Sequence, residues 1–594
     1  MSETKTRDQI DDKYKWDLSV LYASDDDWEK DFQKAEKEYS QLLSYRGSLA
    51  DPRKLEEFMP LYTDLSSVEE NLCVYAIVRF FEDTGNTTYE EMKGRIELLI
   101  SKIATDTVFI KKELSSLTNE NIDAMLTNKP QMEEYRFFLE SYARYSPHIL
   151  SEETETVLAE LGIVIGKLDD IFSAYNDNNI KFEEFEHNGE KIHLSHARYS
   201  QILESPDREL RTKTFNYYYR PFQQNIDVLA NTYAAHVLAN IKLTKIRNYP
   251  SMLDRALFPD YLPSIVFHNL VEVVKENIDV ISEFNALKQK ELGVSELHFY
   301  DNYVPLVKDV DKEYPYQETI ELVRSALQPL GSGYIAKYDD TIEARVIDVF
   351  ESRNKRSGAF SWGSYASRGL VFLNHTGKFS DVSTFAHELG HCLHRDYSIK
   401  NQPFIYYQNP IFLAEVASTV NETLLFDHMS KIAESKEEKK FFLYHNMKRI
   451  EATFYRQTMF ANFEKDIHEL AEGGGVLMAK SITDVYRNNL AAYLGEGMII
   501  DDQLSYEWAR IPHFYNAFYV YKYATSLSAA IALSVRITAG EKGAIEDYLL
   551  FLGAGSHKTP LEILNDAGVD LTEKDAYEVT VRKFQTLLEE FKSL

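Results

Sequence analysis

The sequence predicts a mainly α-helical protein with one small β-sheet beside a functional helix. Three observations support this. Long stretches repeat apolar residues at i, i+3 and i+4. Punctuation is rare, with 16 prolines and 24 glycines in 594 residues, so helices can run uninterrupted. Strand-like runs are confined to two regions, residues 180–194 and 345–373, where glycine, asparagine and serine separate short apolar segments.

In residues 52–81, Leu55, Phe58, Met59 and Leu61 begin a helical stripe that Leu65, Val68, Leu72 and Tyr75 continue. Residues 89–114 and 119–145 read the same way. At Asn188-Gly189 the flanking segments 180–186 and 191–194 are expected to fold back as a hairpin, because both residues tolerate the positive φ of a tight turn. Ser205-Pro206 is expected to open the next helix, with proline at the first helical position. Segments 345–350, 358–360 and 369–373 are the expected strands of the sheet. Soft boundaries divide the chain into an N-terminal helical region (1–110), a second helical region ending in the hairpin (111–200) and a catalytic region (201–594).

A formal charge of −29 repels phosphate backbones and anionic lipid surfaces, so neither nucleic acid nor membrane is an expected partner. No run of about 18 apolar residues offers a membrane span. The first residues contain no apolar leader segment. Two cysteines, Cys73 and Cys392, cannot build a disulfide framework. Cytoplasmic residence is the expectation. No heptad seam is long enough to specify an oligomer.

The chemistry is carried by His387-Glu388-Leu389-Gly390-His391, an HExxH motif. Residues four apart on a helix lie about 40° apart around the axis and one turn apart in height. Both imidazoles therefore share a face, while Glu388, about 100° round, flanks it. Imidazole favours zinc over magnesium or calcium, and one Zn²⁺ per chain is expected. Zinc turns water into a nucleophile near neutral pH, and a neighbouring carboxylate can carry the proton. A catalytic site needs a third protein ligand. Residues 412–422 read as a second helix on which Glu415, Ser418 and Glu422 share one face. Glu415 is the expected third ligand and Glu422 an acceptor that would orient a ligand histidine. His394 shares the face of His387 but lies about 10 Å along the axis, so it supports the site, substitutes as a ligand or stands by without a part in it. Cys392 points away and reads as a small buried residue.

These residues carry a resemblance. His387 to His394, followed by Glu415 to Glu422, resembles the oligoendopeptidase F branch of the thimet oligopeptidase-like zinc metallopeptidases. So do Trp16 to Tyr22, Pro206 to Arg208 with Arg211, Pro512 to Thr525, Leu552 to Ser556 and Ala567 to Asp570. The resemblance implies a two-lobed, multi-helical zincin-like fold with a deep substrate channel and zinc at its floor. It implies cleavage of internal bonds in short peptides, in the cytoplasm. It assigns the metal to His387, His391 and Glu415, the proton to Glu388, and stabilisation of the oxyanion to His513 with a tyrosine. Tyr515, Tyr519 and Tyr521 compete for that last role, with Tyr515 and Tyr521 favoured.

Extended peptides commonly add a strand to a sheet edge, and Gly363, Tyr365 and Gly369 form the expected rim. Two other readings compete. A helical zinc dipeptidyl- or carboxypeptidase would capture a substrate terminus, usually with basic side chains. A non-catalytic peptide-binding protein with structural zinc would normally close its site with four ligands, often cysteines, and would have no use for Glu388.

Overall fold

The computed structural model describes residues 4–307 and 312–594. They are overwhelmingly helical and form two compact units, each built from separate stretches of chain. The first comprises Met1–Ile149, Lys312–His428 and Leu533–Val569, the second Leu150–Asp311, Met429–Ala532 and Asp570–Leu594. These units cut across the three spans expected from the sequence. Each recruits segments far apart in the chain, and composition along a line cannot pair them. Among the described residues no helix is long and apolar enough to cross a membrane.

In the first unit, helix α1 (Pro52–Glu82) starts where Asp51 accepts the N–H of Arg53 and Pro52 takes the first helical position. Its stripe of Leu55, Phe58 and Met59 is buried with Ile110, Leu114, Ile122 and Leu139, a small apolar core. The stretch 89–114, expected as one helix, is two: Thr87–Asp106 and Val108–Leu114, broken at Thr107. The 119–145 stretch likewise divides, with a 3₁₀ turn at Pro130–Tyr135. Lys129 precedes a proline and is pushed out of the helical region.

The sheet has three strands, β1 (Ile347–Asp348), β2 (Phe360–Ser364) and β3 (Arg368–Phe372), in the order β1-β3-β2. β1 runs parallel to β3, and β2 runs antiparallel to it, with Gly363 opposite Gly369. Ions anchor its far end. Asp348, 1% exposed, accepts Lys355 at 2.7 Å and Arg7 at 2.6 Å. Arg7 also reaches Glu82 at the end of α1 (2.8 Å), where the Trp16 indole donates as well. Trp16 packs against Phe372, so the early tryptophan segment locks α1 to the sheet.

Against the sheet runs α2 (Phe379–Asn401), and after a short loop α3 (Ile411–Ile432) follows. α2 begins at Phe379. Asp381 lies in its first turn and reaches back to accept Thr376 N–H and hydroxyl and Lys378 N–H at 2.8, 2.7 and 3.0 Å. A carboxylate there also suits the positive end of the helix dipole.

In the second unit the hairpin is present as Phe185–His187 paired with Glu190–Ile192, and Asn188 and Gly189 take φ of 51° and 82°. A short helix, His196–Leu203, follows, and the helix expected to open at Ser205-Pro206 starts at Arg208, where the Asp207 side chain accepts the N–H of Leu210. Arg208 and Arg211 then close on buried Asp301 at 2.9 and 2.7 Å. A short parallel pairing of Leu297–His298 with Met498–Ile499 lies outside what pattern can predict, since two residues carry no periodicity.

One buried acid in this unit gives a stability prediction. Glu464 is 0% exposed and accepts the N–H of Phe518 at 2.9 Å. Burial pushes its pKa up to about 8. An acid raised above its unfolded value of about 4.3 stays protonated in the fold but ionises in the open chain. Its contribution is therefore present at low pH and is lost as pH rises through the interval toward 8. Glu464→Gln keeps the acceptor oxygen and removes the charge. It should raise the melting temperature over the parent more at about pH 8.5 than at about pH 5.5; a gain independent of pH contradicts this.

Candidate active site

His387 and His391 lie on one face of α2 with ring centroids 4.8 Å apart. What brings a third ligand to them is the glycine between them. A Cβ built on Gly390 would lie 2.5 Å from Ser418 Cα and 2.9 Å from the Ala417 oxygen, so the backbones of α2 and α3 touch at this point. Asn421, fully buried, stitches the two helices together. Its amide donates to the Ala386 carbonyl at 3.1 Å, and its oxygen accepts the Tyr334 hydroxyl at 3.0 Å. Gly390 and Asn421 went unread in the sequence. The available signal was a glycine inside a helix, which close packing often explains.

With the helices in contact, Glu415 arrives at the histidines. His387 Nε2 and His391 Nε2 are 3.2 Å apart, and Glu415 Oε2 stands 3.3 and 3.4 Å from them. A tetrahedral ion with bonds of about 2.0–2.1 Å spaces its ligand atoms about 3.3 Å apart. The triangle thus has the size zinc requires, and it is the one cluster of this kind among the described residues. The Ser418 hydroxyl donates to Glu415 Oε2 at 3.2 Å. Glu422 stands 3.4 Å from His387 Nδ1 and accepts the Ser383 hydroxyl at 3.3 Å, a position from which it can fix the ring and its tautomer.

The electrostatics favour a cation. Burial works against charge on His387, but hydrogen bonds to Glu415 and Glu422 outweigh it and hold its pKa up at about 10. Burial raises the Glu415 carboxyl, and His387 and His391 more than reverse that, leaving it far below the usual range. Glu388, 8% exposed, is raised above the ordinary carboxylate, chiefly by burial.

His394 does not join the triangle. It is buried, its ring stacked on Phe551 at 5.1 Å, and burial, with His391 and Arg395 adding, pulls its pKa down to about 3. It is a neutral packing histidine rather than an alternative ligand. Cys392 is buried, its thiol donating to the Gly369 carbonyl at 3.3 Å.

The sheet residues separate by role. A Cβ on Gly369 would meet Cys392 Cα at 2.7 Å, and its N–H is taken by Asp396 at 2.8 Å. Gly369 therefore seats the inner strand β3 against α2 and offers no edge to a substrate. Tyr365 lies in the β2–β3 turn, its N–H given to Glu70 and its hydroxyl to the Gln402 carbonyl, each at 3.0 Å. Gly363 lies on β2, an edge strand. Val371 gives its N–H to Val346 on the β1 side. Alternation then leaves the main-chain groups of Ser361 and Gly363 facing away from β3.

His513, Tyr515 and Tyr521 lie in the second unit. His513 is exposed in the 3₁₀ turn Pro512–Tyr515. Tyr515 stacks on Phe172 at 4.6 Å. Tyr521 is 0% exposed and packs edge-on to Phe267. This corrects its candidacy as an oxyanion donor, because a fully buried ring cannot present its hydroxyl to a substrate. The rings grouped with His513 are Tyr523, at 6.3 Å, and through it Tyr519, at 5.5 Å. Tyr523 was passed over in the sequence, where its four-residue spacing from Tyr519 was the available clue.

The profile of peptidase family M3 matches residues 201–583. The chain belongs to peptidase family M3. It is therefore a metallopeptidase of the oligopeptidase type, and the mainly helical fold accords with that membership. A second profile, Oligopeptidase F, matches residues 113–182. The chain is 33% identical to the oligopeptidase PepF of Bacillus subtilis, covering 100% of this chain and 90% of the relative. It is 32% identical to the group B oligopeptidase PepB of Streptococcus agalactiae, covering 99% and 98%. The oligoendopeptidase F structure from Enterococcus faecium superposes with a TM-score of 0.75 at 28% identity, covering 96% of this chain and 99% of that one. A structure from Chlamydophila abortus superposes at 0.94 with 34% identity and 100% coverage of both chains. The oligoendopeptidase F resemblance read in the sequence thus extends over the whole chain.

Proposed function

We propose that this M3 peptidase is a zinc-dependent endopeptidase that hydrolyses internal bonds of short oligopeptides in the cytoplasm. The observation that carries the reading is the triangle of His387, His391 and Glu415, with edges of 3.2, 3.3 and 3.4 Å. Those three residues would hold the ion. When bound, zinc supplies Lewis acidity, which activates water and polarises a carbonyl.

The remaining steps belong to the chain. Glu388 takes a proton from the attacking water and delivers it to the departing amine. Its raised pKa suits a group that must keep the proton between those two events. Glu422 holds His387 in one orientation. The outward main-chain groups of β2 at Ser361 and Gly363 accept the peptide as an added strand. His513 donates to the developing oxyanion, a role that the family resemblance supports and that typically contributes about 10²–10³ in rate. Tyr519 or Tyr523 assists it, supported by their grouping with His513.

The decisive assay is a peptide blocked at both ends. The loaded enzyme should cleave it at an internal bond, a chelator should abolish cleavage, and added zinc should restore it. Cleavage confined to peptides with a free terminus would replace this reading with a terminus-trimming peptidase. Zinc retained without turnover of any peptide would point to the binding-protein reading.

A further inference from the structure

Arg395 lies on α2 one turn beyond His391. Seven residues separate it from Glu388, so the two side chains leave the helix within about 20° of each other, about 10 Å apart along the axis. Arg395 therefore sits on the side where the proton carrier operates. Its guanidinium donates to the Gly363 carbonyl at 3.3 Å and lies over the Tyr407 ring at 5.8 Å.

What sets it apart is what it lacks. Among the described residues no carboxylate pairs with Arg395, in a chain of net charge −29. Its neighbours show the usual arrangement. Arg368 closes on Asp396 and Asp340 at 3.0 and 2.7 Å, and Lys337 closes on Asp396 at 2.9 Å. A half-buried guanidinium holding only one long bond to a neutral carbonyl keeps most of its five donors for another acceptor. Gly363 belongs to β2, the edge strand of the sheet, so a peptide pairing along that strand would bring the acceptor with it.

We infer that Arg395 is a subsite for a peptide carboxylate, a specificity determinant that rests on the endopeptidase reading above. Extended chain advances about 3.3 Å per residue. The carboxylate is therefore expected about three residues from the bond that is cut. The guanidinium fork reads a carboxylate in two-pronged fashion, whichever part of the peptide supplies it. An Asp or Glu side chain and the free C-terminus are the two sources.

The experiment uses the zinc-loaded full-length enzyme and one end-blocked, internally quenched peptide of otherwise neutral sequence. Asp is compared with Asn at each position in turn, and the C-terminal acid is compared with its amide. The wild type should prefer the carboxylate at a single position, on the order of tenfold in kcat/KM and mainly through KM, as for binding shared by ground and transition states. In Arg395→Gln that ratio should fall to near one, and Arg395→Lys, which keeps the charge but not the fork, should lie between. An effect in the Asp scan assigns a side chain, and one in the acid–amide pair assigns the C-terminus. A wild-type ratio near one at every position overturns the subsite even if no variant folds, and so does a ratio that survives in Arg395→Gln. Failure of the loaded enzyme to cut any of these peptides overturns the endopeptidase reading instead.

Discussion

Glu388→Gln should retain its metal and lower kcat/KM by about 10²–10⁴, the range expected when a general acid–base is removed. The two parts of this expectation have separate grounds. Glu388 is not one of the three groups whose ligand atoms converge. The amide is nearly the same size as the acid, so the helix face is undisturbed. Yet an amide can neither accept a proton from water nor return one to an amine. Metal content by mass spectrometry of the intact protein, measured beside turnover of the end-blocked peptide, separates them. A variant with full metal and near-parental turnover would remove Glu388 from the mechanism. One that loses the metal would instead make it part of the binding site.

How legible this site was in the sequence varies along it. His387, Glu388 and His391 could be read directly, because helix periodicity alone puts two imidazoles on one face. Glu415 was readable because residues 412–422 repeat helically and lie far enough downstream to return. His394 shows the limit of that approach. It shares the face of His387 on a helical wheel, but Phe551 supplies a partner for its ring, and Phe551 is more than 150 residues away in the chain.

The same limit applies elsewhere. Gly369 reads as a rim residue from the spacing of the glycines and their nearness to the motif helix in the chain. Only the pairing order, with β3 in the middle, shows that its edges are occupied. Tyr521 was favoured as a donor through the family resemblance, and its ring is buried with Phe267 edge-on to it. The helices themselves came through well where the stripe was long. They broke where one residue, such as Thr107, interrupted an otherwise continuous pattern. Local periodicity is written in neighbouring residues, whereas burial and strand order depend on partners that the local pattern does not name.

The contact that unites the two helices carrying the triangle of His387, His391 and Glu415 makes Gly390→Ala the sharpest test of how the site is assembled. Two opposing effects act on it. Alanine in a helix interior is favoured over glycine by about 1 kcal/mol. Against that, the new methyl would sit 2.5 Å from Ser418 Cα, well inside the roughly 3.5–4.0 Å at which carbon atoms rest. The atom it meets is backbone, so no side chain can swing aside. The helices must part by about 1 Å, at an overpacking penalty of typically 1–3 kcal/mol. A separation of that size leaves Glu415 out of reach of an ion held by the two histidines, and displacements of about 1 Å at a catalytic centre can lower rate by about 10². Gly390→Ala should therefore lose stability despite its better helix propensity, bind zinc at least tenfold more weakly, and lose most of its turnover. Gly94, inside the helix Thr87–Asp106 with nothing within 4 Å of its built Cβ, provides the contrast. Gly94→Ala should gain up to about 1 kcal/mol and keep its metal. If the two variants behave alike in a calorimetric melt and a zinc titration, the close approach of α2 and α3 is not what holds Glu415 in place.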